Sequence, residues 1–201
     1  MTWLKGFNFR QTSGYVTDGA NETYVVGDSY PTTRNGVTFG WESGLGGVVN
    51  RSTGVDRRLA GINYVFNDGG AHVFRVDLPN AGSYVLNAAF GDTTGGNGIP
   101  QSSKFQDGST SLWTNSVTFN ESPGWVDAVG NQHTTASDWV ANNSPATFTF
   151  ATTILRVAQG FVNNGNASRI AHLFVTSAAP PVIPARFLHR QQSIGLGLGV
   201  A

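Results

Sequence analysis

Six carboxylates along the middle of the chain, Asp77, Asp92, Asp107, Glu121, Asp127 and Asp138, are the first residues to weigh for chemistry. A glycosidase needs two carboxyl groups held about 5–10 Å apart. These six offer many pairings, and their spacing selects none. Asp also favours turns and strand ends, where its side chain bonds to nearby backbone. The four histidines, His72, His133, His172 and His189, are far apart in sequence. His72 and His172 fall in strand patterns, where a lone histidine is packed or solvated more often than it is a ligand. There is no His-Glu-x-x-His, no Gly-x-Ser-x-Gly elbow and no phosphate loop closing in Gly-Lys-Ser/Thr. Gly95-Gly96-Asn97-Gly98 has no following lysine and reads as a turn. With no cysteine, disulfides, zinc thiolates and thiol catalysis are excluded together. The expectation is a protein that is not an enzyme.

Binding chemistry has better candidates. Asp92 ends a well-formed strand and opens the polar stretch "DTTGGNGIPQ", where nearby carbonyl oxygens would complete a calcium site. Trp41, Trp113, Trp125 and Trp139 offer flat faces on which the C–H face of a sugar could stack. Trp125 follows Pro123-Gly124 and Trp139 follows Ser137-Asp138, so both are placed near loops. Core packing competes for each, because Trp is buried on average. "DRRLAG", Asp56 to Gly61, places an acid and two arginines before an apolar strand. It reads as an ion-paired corner, with Arg57 as a candidate clamp for a ligand.

These residues need a frame, and the frame is β. The chain has 201 residues and a formal net charge of +0, with 12% charged residues against an average of roughly 25%. A nucleic-acid binder needs a basic stripe, which is missing, and no apolar run reaches the length of a membrane span. Short runs rich in Val, Phe, Tyr, Trp and Thr, bounded by Gly, Asn, Asp and Pro, predict strands. They fall near Trp3–Phe9, Thr23–Val26, Val37–Trp41, Asn63–Phe66, His72–Leu78, Ser83–Phe90, Ser111–Phe119, Ala146–Phe150, Thr153–Ala158 and Ile170–Thr176. Helical periodicity is nearly absent. In "HVFRVDLPNAGSYVLNAAFGD", alternation puts Phe74, Val76 and Leu78 on one face, and Tyr84, Leu86, Ala88 and Phe90 on one face after the turn. This segment is expected to be a hairpin. A second hairpin is expected to join Thr147–Phe150 to Ile154–Val157.

After Ser177 the composition changes. Pro180, Pro181 and Pro184 favour an extended arm. Beyond them Arg186, Phe187, His189 and Arg190 stand without an acid, and Ile194, Leu196, Leu198 and Val200 alternate with Ser193 and three glycines. A ribbon with one apolar and one bare face gains by adding to a partner's sheet edge. Residues 1–177 are read as one β-sandwich domain and 178–201 as linker and arm.

"TTRNGVTFGW", "DRRLAGINYV", "FRVDLPNAGSYVLNAAFGD" and "RIAHLFV" together resemble the galactose-binding-like jelly rolls of carbohydrate-binding modules and bacteriophage virion proteins. The nearest element is Leu-Pro-x-x-Gly-x-Tyr ending in Gly-Asp, carried by Leu78, Pro79, Gly82, Tyr84, Gly91 and Asp92. The resemblance implies an all-β antiparallel sandwich with an extended C-terminal arm. No signal peptide is visible at Met1-Thr2-Trp3-Leu4-Lys5, so the expected location is the virion, after synthesis in the host cytoplasm. The expected role is a capsid decoration or head-associated protein, oligomeric and bound to capsid or other virion proteins through Arg186, Phe187, Arg190, Ile194, Leu196, Leu198 and Val200. The alternative is a glycan-binding module using Asp92, Trp125, Trp139 and Arg57.

Overall fold

The computed structural model describes residues 3–10, 21–51, 56–92, 99–119, 124–162 and 167–178. The proposed arm, including Arg186, Phe187, Arg190, Ile194, Leu196, Leu198 and Val200, lies outside the described residues.

Two sheets face each other. The larger follows the path β12 (Gln132–His133), β11 (Gly124–Val126), β8 (Gly82–Asp92), β15 (Ala167–Ser177), β1 (Leu4–Phe9) and β2 (Glu22–Val25). Alongside this path, β13 (Ala146–Phe150) pairs with β8, and β6 (Gly61–Phe66) joins β15 to β5 (Gly47–Asn50). The smaller sheet runs β10 (Thr110–Phe119), β9 (Ile99–Asp107), β14 (Ile154–Gln159), β7 (His72–Asp77), β4 (Val37–Trp41) and β3 (Thr32–Arg34). The strand ladders are antiparallel except for β1 with β2, which is parallel. The expected all-β sandwich is what the chain forms.

Alternation assigned the faces correctly and the partners incorrectly. Phe74, Val76, Leu78, Tyr84, Leu86, Ala88 and Phe90 are all buried. Yet β7 pairs with β4 and β14, while β8 pairs with β15, β11 and β13. The Pro79–Gly82 turn is therefore a corner between sheets, not the loop of a hairpin. The second expected hairpin is a corner too, because β13 lies on β8 and β14 lies between β7 and β9.

Phe74 centres the core between the sheets, with ring centroids 4.9 Å from Phe9, 5.5 Å from Trp41 and 5.6 Å from Phe7. Edge-on pairs of this kind add about 0.5–1.5 kcal/mol each beyond the area they bury. A second core lies on the other face of the larger sheet. Ala88 and Phe90 point between the sheets, so Ala89 points away. There it packs with Ala171, Ile62, Leu59, Trp125 and Trp139. Leu59 comes from a 3-10 turn, Arg57–Leu59, and Trp139 from the helix α1, Ala136–Asn142. Thr135 caps α1 by accepting a hydrogen bond from the Asp138 N–H.

Candidate ligand-binding cleft

The register of four neighbouring strands builds a floor on the outer face of the larger sheet. Asn87 on β8 pairs with Phe174 on β15, Phe174 with Gly6 on β1, and Gly6 with Glu22 on β2. One row along, Ala89 pairs with His172 and His172 with Asn8. Because side chains alternate, residues two apart share a face, and both rows point away from the inter-sheet core. Arg58, from the 3-10 turn, completes a cleft of about 400 Å³ lined by Glu22, Arg58, Asn87, His172 and Phe174. Gly6 has to be glycine here. A Cβ would sit 2.8 Å from Glu22 Cγ and 2.9 Å from Phe174 Cδ2.

Hydrogen bonds fix the orientation of the polar groups. Asn8 Nδ2 donates to Glu22 Oε2 at 3.2 Å, so Asn8 Oδ1 is the acceptor that faces His172 Nδ1 at 3.1 Å. His172 therefore carries its proton on Nδ1, and Nε2 keeps its lone pair. The ring stays neutral. Burial pushes its pKa down to about 3, the Arg58 cation adds to the shift, and Asp56 opposes it. On the other side, Asn143 Nδ2 donates to Trp139 O at 2.6 Å, leaving Asn143 Oδ1 to accept from Asn87 Nδ2 at 2.6 Å. Among the described residues Asn87 Oδ1 is consequently buried with no partner.

The wall is held as firmly as the floor. Arg58 donates to Asp56 through Nε at 2.8 Å and lies 4.9 Å from the Trp139 ring centroid. This is the ion-paired corner expected of "DRRLAG". The base of α1 is fixed by Asp127. Its Oδ1 accepts the backbone N–H of Val129, Gly130 and Asn131, and its Oδ2 accepts that of Ser144. Burial works to raise the Asp127 pKa, but the donors from Ser144, Asn131 and His133 outweigh it and hold the carboxyl below its usual range. His133 bridges Asp127 and Asp138 at 3.2 and 3.3 Å, linking α1 to the sheet.

The residues proposed from sequence fall elsewhere. Trp125 and Trp139 are fully buried in the second core, so neither ring offers a free face to a sugar. Their loop-side neighbours in sequence mislead, because a short strand and a capped helix carry both rings inward. Asp92 is 2% exposed. Its carboxylate is gripped by Arg51 and approached by Arg169 at 3.4 Å. Two cations already stand at this carboxylate, and residues 93–98, whose carbonyl oxygens the calcium expectation called on, lie outside the described residues. Arg57 stands in the 3-10 turn, and its side chain lies outside the described part. Asp107 accepts from Ala151 and Thr152 and ties down the β13–β14 corner. The cleft residues escaped notice because four strands supply them. The legible signal was glycine and asparagine inside strands, at Gly6, Asn8 and Asn87, where both are depleted.

No protein-family model matches the chain, and no curated protein matches its sequence. Several solved structures are similar to it. The Bacillus subtilis protein YxiM superposes with a TM-score of 0.52 at 15% identity, over 88% of this chain and 40% of that one. A Bacteroides uniformis beta-glucuronidase gives 0.48 at 8% identity, over 88% of this chain and 18% of the enzyme. A family 35 carbohydrate binding module from Clostridium thermocellum gives 0.37 at 13% identity, over 71% of this chain and 91% of the module. This chain thus spans well under half of the first two. At these identities the likeness to YxiM is one of fold.

Proposed function

We propose that the chain is a carbohydrate-binding domain whose outer cleft takes a neutral saccharide unit. One observation carries this reading. Asn87 Oδ1, a buried acceptor with no hydrogen-bond partner among the described residues, and the lone pair on Nε2 of the neutral His172 ring belong to residues that line the cleft, beside the half-buried ring of Phe174. Unmet acceptors in a partly dry site favour a ligand that brings hydroxyl donors. An aromatic ring beside them favours one that also brings C–H faces. Glu22 and Asp56 together outweigh Arg58, which disfavours an anionic ligand. The cleft volume falls in the range usual for small-ligand sites.

Titration calorimetry with a panel of neutral mono- and disaccharides tests this. Asn87→Leu and Phe174→Ala are each expected to weaken binding about tenfold or more, the worth of one good hydrogen bond or stacking contact. Circular dichroism checks that both variants fold. Absence of binding across the panel, or binding that neither variant weakens, overturns the reading.

A second proposal rests on the sequence of residues 180–201. Its prolines and glycine-spaced Ile194, Leu196, Leu198 and Val200 suit a strand added to a neighbour's sheet, with Arg186 and Arg190 meeting acidic groups. In this reading the domain decorates a virion shell and presents its cleft outward. Deleting 180–201 should leave the β signal of circular dichroism intact and abolish self-association in sedimentation. An unchanged assembly mass after the deletion discards the arm.

A further inference from the structure

We propose that Arg169 and Arg51 form a second site, distinct from the cleft, that binds a small oxyanion such as a carboxylate or sulfate. The argument starts from charge. Asp92 is buried, and Arg51 takes both of its oxygens, donating from Nε to Oδ1 at 2.6 Å and from a terminal nitrogen to Oδ2. Arg169 receives only what is left, an approach of its Nε to Oδ2 at 3.4 Å. Among the described residues, two guanidinium groups thus share one carboxylate, and one positive charge is left over.

The surplus cation is preorganised. The Arg169 N–H donates to Gln101 Oε1 at 2.9 Å, and its carbonyl accepts from Gln159 Nε2 at 3.3 Å. Its backbone is held from both sides, while among the described residues its side chain makes no hydrogen bond beyond the approach to Asp92 and stays 19% exposed. Tyr64 is its cross-strand neighbour on β6. The Tyr64 ring lies against Gly46 and Gly47, where a Cβ on Gly47 would come 2.6 Å from the Tyr64 hydroxyl oxygen. Tyr64 is thus the sheet neighbour of the Arg169 guanidinium, with its ring turned toward β5. Burial lowers the Arg169 pKa and Arg51 adds to the shift, while Asp92 only partly offsets them. A bound anion would relieve that imbalance. An Arg fork suits an oxyanion with two or more acceptor oxygens. Ala171 separates this site from the cleft, whose nearest floor residue, His172, stands three residues or about 10 Å further along β15.

The test uses the full chain labelled with ¹⁵N, titrated with acetate and with sulfate against chloride at constant ionic strength. The arginine Nε–H resonances report binding. The expected result is a saturable shift of the Arg169 signal with a dissociation constant on the order of millimolar. Arg169→Gln should abolish saturation by the remaining reporter, Arg51. Asp92→Asn should tighten binding about tenfold, because it removes the internal competitor. If Asp92→Asn does not fold, Arg169→Gln decides alone. Saturation by sulfate only selects a tetrahedral ligand, and saturation by acetate only selects a carboxylate. A shift linear in salt for both anions, or saturation that survives Arg169→Gln, overturns the site.

Discussion

Trp139→Ala will lower the unfolding free energy by about 3–5 kcal/mol, the usual cost of emptying a buried aromatic site. Trp139 has no exposed surface. It is the buried residue of a seven-residue helix, too short to be stable in isolation, so the helix depends on this ring for its attachment. The same ring supports Arg58 at 4.9 Å and meets His172 edge-on at 6.2 Å. Its loss should therefore also loosen the cleft and weaken saccharide binding. Urea unfolding of Trp139→Ala beside Val140→Ala separates the ring from the helix. Val140 is 41% exposed and should cost less than about 1 kcal/mol. Trp139→Phe should fall between the two, since the indole N–H of Trp139 is buried without a partner and leaving it out removes a desolvation penalty. If Trp139→Ala costs no more than Val140→Ala, the second core is not part of the cooperative fold.

The sequence showed faces far better than partners. Phe74, Val76 and Leu78, then Tyr84, Leu86, Ala88 and Phe90, all turned inward as alternation required. Alternation is a property of one strand, however, and it is equally satisfied whether the chain turns back within a sheet or crosses to the facing one. Both segments expected to be hairpins cross. β9 was missed for a different reason. Gln101, Ser102 and Ser103 are buried polar residues, with Ser102 bonded to Ser168 and Gln101 to the backbone of Arg169. Buried polar pairs leave no apolar rhythm to read. Trp125 and Trp139 were misassigned as ligand contacts because flanking Pro, Gly, Ser and Asp look like a loop. Asp92 was singled out from its place at a strand end, and its sign was read alone. Arg51 and Arg169, which surround it, come from distant strands. The cleft is the extreme case, since its floor exists only once β8, β15, β1 and β2 stand side by side.

The acid limb of stability should then report on His172 specifically. Its folded pKa is about 3 against an ordinary 6.5, so the folded state stays unprotonated where the unfolded state takes up a proton. Stability is fully present above pH 6.5 and falls as the pH drops from there toward 3. The slope approaches 1.4 kcal/mol per pH unit, with a ceiling of about 4–5 kcal/mol. Asp107 and Asp127, whose carboxyls are held below their usual range, lose their contribution only as the pH falls below about 4. The window from pH 6.5 to 4.5 therefore separates the imidazole from these carboxylates. His172→Gln keeps a side-chain donor for Asn8 and cannot gain a proton. Between those limits the native chain should lose about 2 kcal/mol more than the variant, read from urea midpoints at each pH, and contributions common to both proteins cancel in the difference. Parallel curves would mean that His172 accepts a proton in the fold, and with it that Nε2 is no lone-pair acceptor for a sugar hydroxyl. The stability profile and the proposed saccharide chemistry thus depend on the same proton being absent, and saccharide affinity should stay flat from pH 5 to 8 for the same reason.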